Sequence, residues 1–186
     1  SNFLLLGLIM IAIQQVNMMY CAKSIVKERV TKTLHRLFIS KVGTFEILLG
    51  KTLPYIIIGF TEIILSLIIA NKLFAMPIYG DPLVVIILAF AFVCAVVAYG
   101  VLFSVISPSE MFAMELAMVI STPSFLLSGY TWPLSAMPEF IRAIAYVLPM
   151  THYVSALRPV IFMNAPLSVI KKEIIILSAM TLILWS

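Results

Sequence analysis

"LVVIILAFAFVCAVVAYGVLF", residues 83–103, carries no charge from end to end. An α-helix rises about 1.5 Å per residue, and crossing the hydrocarbon core of a bilayer takes about 20 residues. This run is long enough to cross. The whole chain shares its character: 63% of the 186 residues are hydrophobic, against roughly 45–50% in a soluble domain, and the mean hydropathy is +1.16. The alternating pattern of a membrane β-barrel is absent. The fold class is therefore all-α: a polytopic helical membrane protein with about five transmembrane helices, because in lipid a helix satisfies its own backbone.

Working outward from that run, residues 3–21, 52–73, 111–128 and 170–186 read as further spans beside 83–106. The chain begins and stops within apolar runs, and is expected to be a piece of a longer protein, a single transmembrane domain over 1–186. The first run lacks a basic leader and a small-residue cleavage site, so it reads as a genuine span. "FAMPIYGDP", residues 74–82, is a turn. In the tight turn "SPSE", Ser107 or Ser109 can cap the next helix and Glu110 suits its first turn. Between 133 and 163 the prolines Pro133, Pro138, Pro149 and Pro159 forbid a straight span. Two short re-entrant or interfacial helices are expected there, one with an apolar stripe of Met137, Phe140, Ile141, Ile144 and Leu148, the other near Thr151–Phe162. Tyr130, Trp132, Tyr146 and Tyr153 suit an aromatic belt at the interface.

Charge gives the orientation. "KSIVKERVTKTLHRLFISKVGTFEILLGK", residues 23–51, gathers seven of the twelve Lys and Arg: Lys23, Lys27, Arg29, Lys32, Arg36, Lys41 and Lys51. Basic loops stay on the cytoplasmic side, so 23–45 is expected inside, with 74–82 and 129–170 outside. Arg142, Arg158, Lys171 and Lys172 weigh against that orientation, more thinly spread. On a helical wheel Val26, Val30, Leu34, Leu37 and Phe38 share one sector, with Glu28, Arg29, Lys32, His35 and Arg36 opposite. Composition leaves two readings open. The helix either anchors to anionic lipid, at about 1 kcal/mol per basic residue, or docks on a partner protein.

The stretch "KERVTKTLHRLFISKVGTFEILLGKTLPYIIIGF" resembles the cytoplasmic segment of ABC-2 type transporter permeases. Glu28, Arg29, Leu34, Leu37, Ser40, Glu46, Gly50, Lys51, Pro54 and Tyr55 fall in step with the family pattern. The later "LLSGYTWPLSAMPEFIRAIAYVLPMTHYVSALR" is similar to the family's outer re-entrant region, through Gly129, Pro133, Pro138, Tyr146, Pro149, Thr151 and Arg158. Where the family has Gly-Thr this chain has Lys32-Thr33, and the Ser-Pro turn is Ser40-Lys41, so the helix is expected to run on further than usual. The resemblance implies that Val26, Glu28, Arg29, Val30, Leu34, Arg36, Leu37 and Phe38 form a coupling helix that docks on a cytoplasmic ABC ATPase subunit. It also implies a second permease copy or paralogue around a central path, and a multi-pass location in the cell membrane, as in a bacterial inner membrane. A periplasmic adaptor is a further partner the family admits. No cofactor is expected in this chain, since ATP and Mg would be bound by the partner ATPase.

Among the intramembrane residues, Glu62 stands midway between Lys51 and Lys72, and Gln14 and Gln15 sit within the first span. An ionisable group at that depth is costly. Glu62 either bonds to a neighbouring helix, with Gln14 or Gln15 as candidates, or lines a path or a dimer seam. Cys21 and Cys94 read as packing residues, and His35 with His152 makes no metal pair. No phosphate loop, nucleophile elbow or zinc-protease motif occurs, so no catalytic residue or metal ligand is assigned. The modest net charge of +4 sits largely in one segment, which excludes a nucleic-acid binder. The leading expectation is the permease subunit of an ATP-driven exporter. Its rivals are a secondary transporter or channel using Glu62, and a non-transporting membrane scaffold.

Overall fold

The uncharged run becomes the central helix of the molecule. In the computed structural model, which describes residues 2–31, 43–73, 79–130 and 133–185, it lies in α3 (Pro82–Ile106). Asp81 starts the helix by accepting the Leu83 N–H at 2.9 Å, and Pro82 fits the first position, where no N–H is needed. Ser107 ends it in an extended conformation ahead of Pro108. A helix apolar on every face belongs in the middle. Here α3 touches α1 (Asn2–Val30), α2 (Thr44–Leu73), α6 (Pro149–Met163) and α7 (Leu167–Trp185), with a lighter contact to α4 (Glu110–Leu127).

The first helix runs unbroken to Val30, beyond the limit at residue 21 expected for the span. Its buried face explains the extension. Met10, Gln14, Met18, Cys21, Ala22 and Val26 recur at helical spacing, and all are fully buried against α3 and α4. Gly100 lets α1 and α3 approach closely. A Cβ there would stand 2.9 Å from the Cys21 Cβ and 3.1 Å from the Met18 carbonyl oxygen.

Helix α2 likewise starts before residue 52. The Gly43 N–H donates to Glu46 Oε2 at 3.3 Å, half of a capping box, and begins the helix at Thr44. Pro54 sits inside it. At the start of α4, the Ser109 hydroxyl accepts the Phe112 N–H at 3.2 Å.

Beyond α4 the chain turns at Gly129, whose φ of +79° suits glycine. A 3-10 turn (Leu134–Ala136) leads to α5 (Glu139–Val147), which meets α6 at 88°. Pro138 precedes α5, and Pro149 opens α6. Helix α6 runs antiparallel along α3: Gly80 lies against Val160, Tyr153 stacks on Phe92 with ring centroids 4.2 Å apart, and the Tyr99 hydroxyl donates to the Val147 carbonyl. The expected stripe on α5 faces outward at Phe140, Ile141 and Ile144, while Leu148 at its end is buried.

Among the described residues, four helices are long and apolar enough to cross a membrane: Gly7–Val30, Phe45–Lys72, Pro82–Ile106 and Glu110–Leu127. The bent α5–α6 pair makes up to five. No strand occurs among the described residues. The protein is an all-α multi-pass membrane protein.

Candidate functional site

Where α1 ends, its side chains tie down the helices around it. The Glu28 carboxylate pairs with Lys51 of α2. The next residue, Arg29, reaches the C-terminal end of α3, donating to the Val105 carbonyl at 3.0 Å and to the Ser107 carbonyl. Both oxygens lie where a helix leaves carbonyls without internal partners and presents the negative end of its dipole. A guanidinium suits that place because its fork can hold two acceptors at once. Each such charge-assisted bond contributes about 1.5–3 kcal/mol when sheltered, and less at this exposed edge. Ser107 also precedes the turn into α4. Adjacent residues of α1 therefore hold α2 with one side chain and the α3–α4 turn with the other.

The eight residues assigned to the coupling segment divide unequally. Val26 is fully buried as part of α1, Glu28 and Arg29 make the ties above, and Val30 is 57% exposed at the last position of α1. Leu34, Arg36, Leu37 and Phe38 lie outside the described residues, as do Lys32 and His35. Val26 and Val30 thus belong to the helix that carries the first span. Lys51 and the carbonyls of Val105 and Ser107 were not singled out from sequence as partners. The charge pattern could have suggested Lys51; nothing in the sequence points to a carbonyl.

A second polar site lies inside the bundle. Glu62 Oε2 accepts a hydrogen bond from Asn17 Nδ2 at 2.8 Å, and the same amide donates to the Ile13 carbonyl at 3.0 Å. The partner of Glu62 is Asn17 rather than Gln14 or Gln15. Rotation along the helix explains the difference. Gln14 lies one turn from Met10, which takes the Tyr153 hydroxyl at 3.9 Å, and one turn from Met18, which takes that of Ser121 at 3.9 Å. It therefore faces α4 and α6, fully buried, whereas Asn17 faces α2. Gly59 makes room, since a Cβ there would meet Asn17 Oδ1 at 2.9 Å. Gln15 is half-buried.

The re-entrant residues occupy the joints already described, Gly129 and Pro133 before the 3-10 turn, Pro138 before α5 and Pro149 at the start of α6. Arg158 ties α6 to the first of these by donating to the Gly129 carbonyl at 3.3 Å. His152 Nε2 lies 2.8 Å from the Tyr146 carbonyl, and Cys21 Sγ donates to the Val97 carbonyl at 3.7 Å. Both side chains are engaged in packing the bundle.

All of residues 1–186 match the family described as ABC-2 family transporter protein. The probable multidrug ABC transporter permease YbhS of Escherichia coli is 24% identical over 159 residues, covering 85% of this chain and 42% of that protein. The linearmycin resistance permease protein LnrN of Bacillus subtilis is 31% identical over 146 residues, 77% of this chain and 37% of LnrN. ABC transporter G family member 20 of Dictyostelium discoideum is 31% identical over 137 residues, 74% of this chain and 19% of that protein. The chain thus spans less than half the length of these relatives. No solved structure matches it. With its full length matched to one family, and with relatives named as permeases, the chain belongs to the ABC-2 family of transporter proteins.

Proposed function

We propose that this chain is the membrane-embedded part of a permease in an ATP-driven exporter, worked by separate cytoplasmic ABC ATPase subunits and paired with a second permease. ATP and Mg would be bound by the ATPase, and this chain would supply the path and the mechanical input. The observation that carries the reading is the double tie at the end of α1, Glu28 to Lys51 and Arg29 to the end of α3. Force arriving on the basic segment after Val30 would meet no slack there. It would pass to α2 and to the α3–α4 turn together, as a rigid-body shift of packed helices requires. The names of the bacterial relatives, a probable multidrug permease and a linearmycin resistance permease, support export as the direction.

The test uses the full-length permease with its ATPase in proteoliposomes. Charge reversal at Glu28, Arg29 and Arg36 is expected to leave insertion intact and to reduce transport per ATP hydrolysed by roughly tenfold, a coupling loss of about 1.4 kcal/mol. Transport and substrate-stimulated ATPase activity equal to wild type would refute the reading. The sidedness has its own test. Lys27 is exposed near the end of α1, and a Lys27→Cys variant is expected to react with membrane-impermeant maleimide only from the cytoplasmic side. Labelling from the outside in intact cells would invert the topology.

A further inference from the structure

Glu62 opens onto a groove between α1 and α2 of about 350 Å³, walled by Ile9, Ile13, Val16, Leu65 and Ile69. We propose that this groove binds a lipophilic organic monocation, with the Glu62 carboxylate as its counter-charge. The site as a station for exported substrate rests on the exporter reading, whereas the binding itself is an equilibrium property that needs no ATP.

The electrostatics favour a cation. Lys51 and Lys72 bracket α2, and at about 1.5 Å per residue each lies roughly 15 Å along the helix from Glu62, too far to pair. No Lys or Arg of the described residues forms an ion pair with it. Its protein partner is the neutral Asn17 amide, which holds one oxygen at 2.8 Å and brings no countercharge. A bare carboxylate among apolar walls is costly, and an arriving cation removes that cost.

The walls decide which cation. A hard metal ion takes about six or more oxygen ligands. The groove offers the carboxylate and the Ser66 hydroxyl, which already donates to the Ile63 carbonyl at 2.7 Å. No cluster of three or more metal-ligating side chains occurs among the described residues. A delocalised or bulky organic cation sheds its hydration cheaply and gains contact with Ile9, Ile13, Val16, Leu65 and Ile69. The volume lies at the lower end of the roughly 300–1,000 Å³ of small-molecule sites. Asn17 and Gly59 hold the carboxylate in place before any ligand arrives: the Asn17 amide spends its two donors on Glu62 and Ile13, in space that Gly59 leaves free.

The experiment titrates the full-length permease–ATPase complex in nanodiscs, without nucleotide, with tetraphenylphosphonium and with its anionic near-isostere tetraphenylborate. Saturable binding of the phosphonium alone is expected. Glu62→Gln keeps an acceptor for Asn17 and removes the charge, and is expected to weaken phosphonium binding by at least about tenfold. Glu62→Asp should stay within a few-fold of wild type. Val16→Trp, which fills the groove and keeps the carboxylate, is expected to block binding and serves if Glu62→Gln fails to fold. Equal affinity for the borate, or phosphonium binding indifferent to both Glu62→Gln and Val16→Trp, overturns the proposal. If the wild type binds no phosphonium yet still exports under ATP, the cation site falls and the exporter reading stands. Glu62-dependent binding in a complex that fails to export does the opposite, upholding the cation site and removing the exporter.

Discussion

Replacing Gly100 by leucine should cost the protein its folded bundle. The α-carbon of Gly100 sits at the crossing of α1 and α3, where a Cβ would lie 2.9 Å from the Cys21 Cβ and 3.1 Å from the Met18 carbonyl oxygen. Neither neighbour can swing aside: one is backbone, the other is fixed one bond from it. Overpacking in a tight core costs about 1–3 kcal/mol. Gly100→Ala is expected in that range, and leucine, with three more heavy atoms, at or above its top. The loss matters more in lipid than in water, because helices there associate chiefly through close packing and not through exclusion of apolar surface from water. Thermal melting of the full-length protein in detergent would measure it. Gly50→Ala is the matched control, since nothing lies within 4 Å of a Cβ there, and inside helix α2 it should leave stability unchanged or raise it by up to about 1 kcal/mol. A leucine variant that melts with the wild type would show that the two helices do not cross at Gly100.

Tyr153→Ala is expected to have the second largest effect, about 3–5 kcal/mol by comparison with other buried aromatic truncations. The Tyr153 ring is fully buried and stacks on Phe92 at 4.2 Å with 21° between planes, while its hydroxyl donates to Met10 Sδ at 3.9 Å. One side chain thus joins α6 to α3 and to α1. Truncation leaves a cavity that lipid tails cannot reach, so the lost contacts are not replaced. The consequence should be local as well as global. With α6 loosened, the α5–α6 elbow at Pro149 loses its hold on α3, and proteolysis within 139–148 should rise. Tyr153→Phe keeps the stack and should cost less than about 1 kcal/mol. An alanine variant with wild-type melting and no new cleavage would place the hold on α6 elsewhere, in Tyr99 and Val147.

Much of the fold was legible in the sequence, for reasons that differ along the chain. The charge-free run at 83–103 could only be a buried or membrane-crossing helix, and it became the centre of the bundle. Ser109, Pro138 and Pro149 marked joints because cap and turn chemistry is local, acting over three or four residues. The ends of α1 and α2 were less legible. Charge suggested that the first span stops near residue 21, but a helix persists while one face finds packing. Val26 finds it at 0% exposure. The assigned polar residues split the same way. Glu62 announced itself as an isolated carboxylate, yet its partner Asn17 could not be chosen from three nearby amides until the rotation of α1 was known.

Composition, charge and punctuation in the chain by themselves determined a multi-pass helical membrane protein and which connection is basic. These follow from transfer free energies and backbone rules that add up residue by residue. The tertiary structure alone decided which face of each apolar helix meets which neighbour. It joined Arg29 to carbonyls 76 and 78 positions away, set Glu62 on a groove, and turned Gln14 away from it. In lipid, a helix that is oily all round has no wet side to give its orientation away, so only the fit of side chains and the pairing of a few polar groups can fix it.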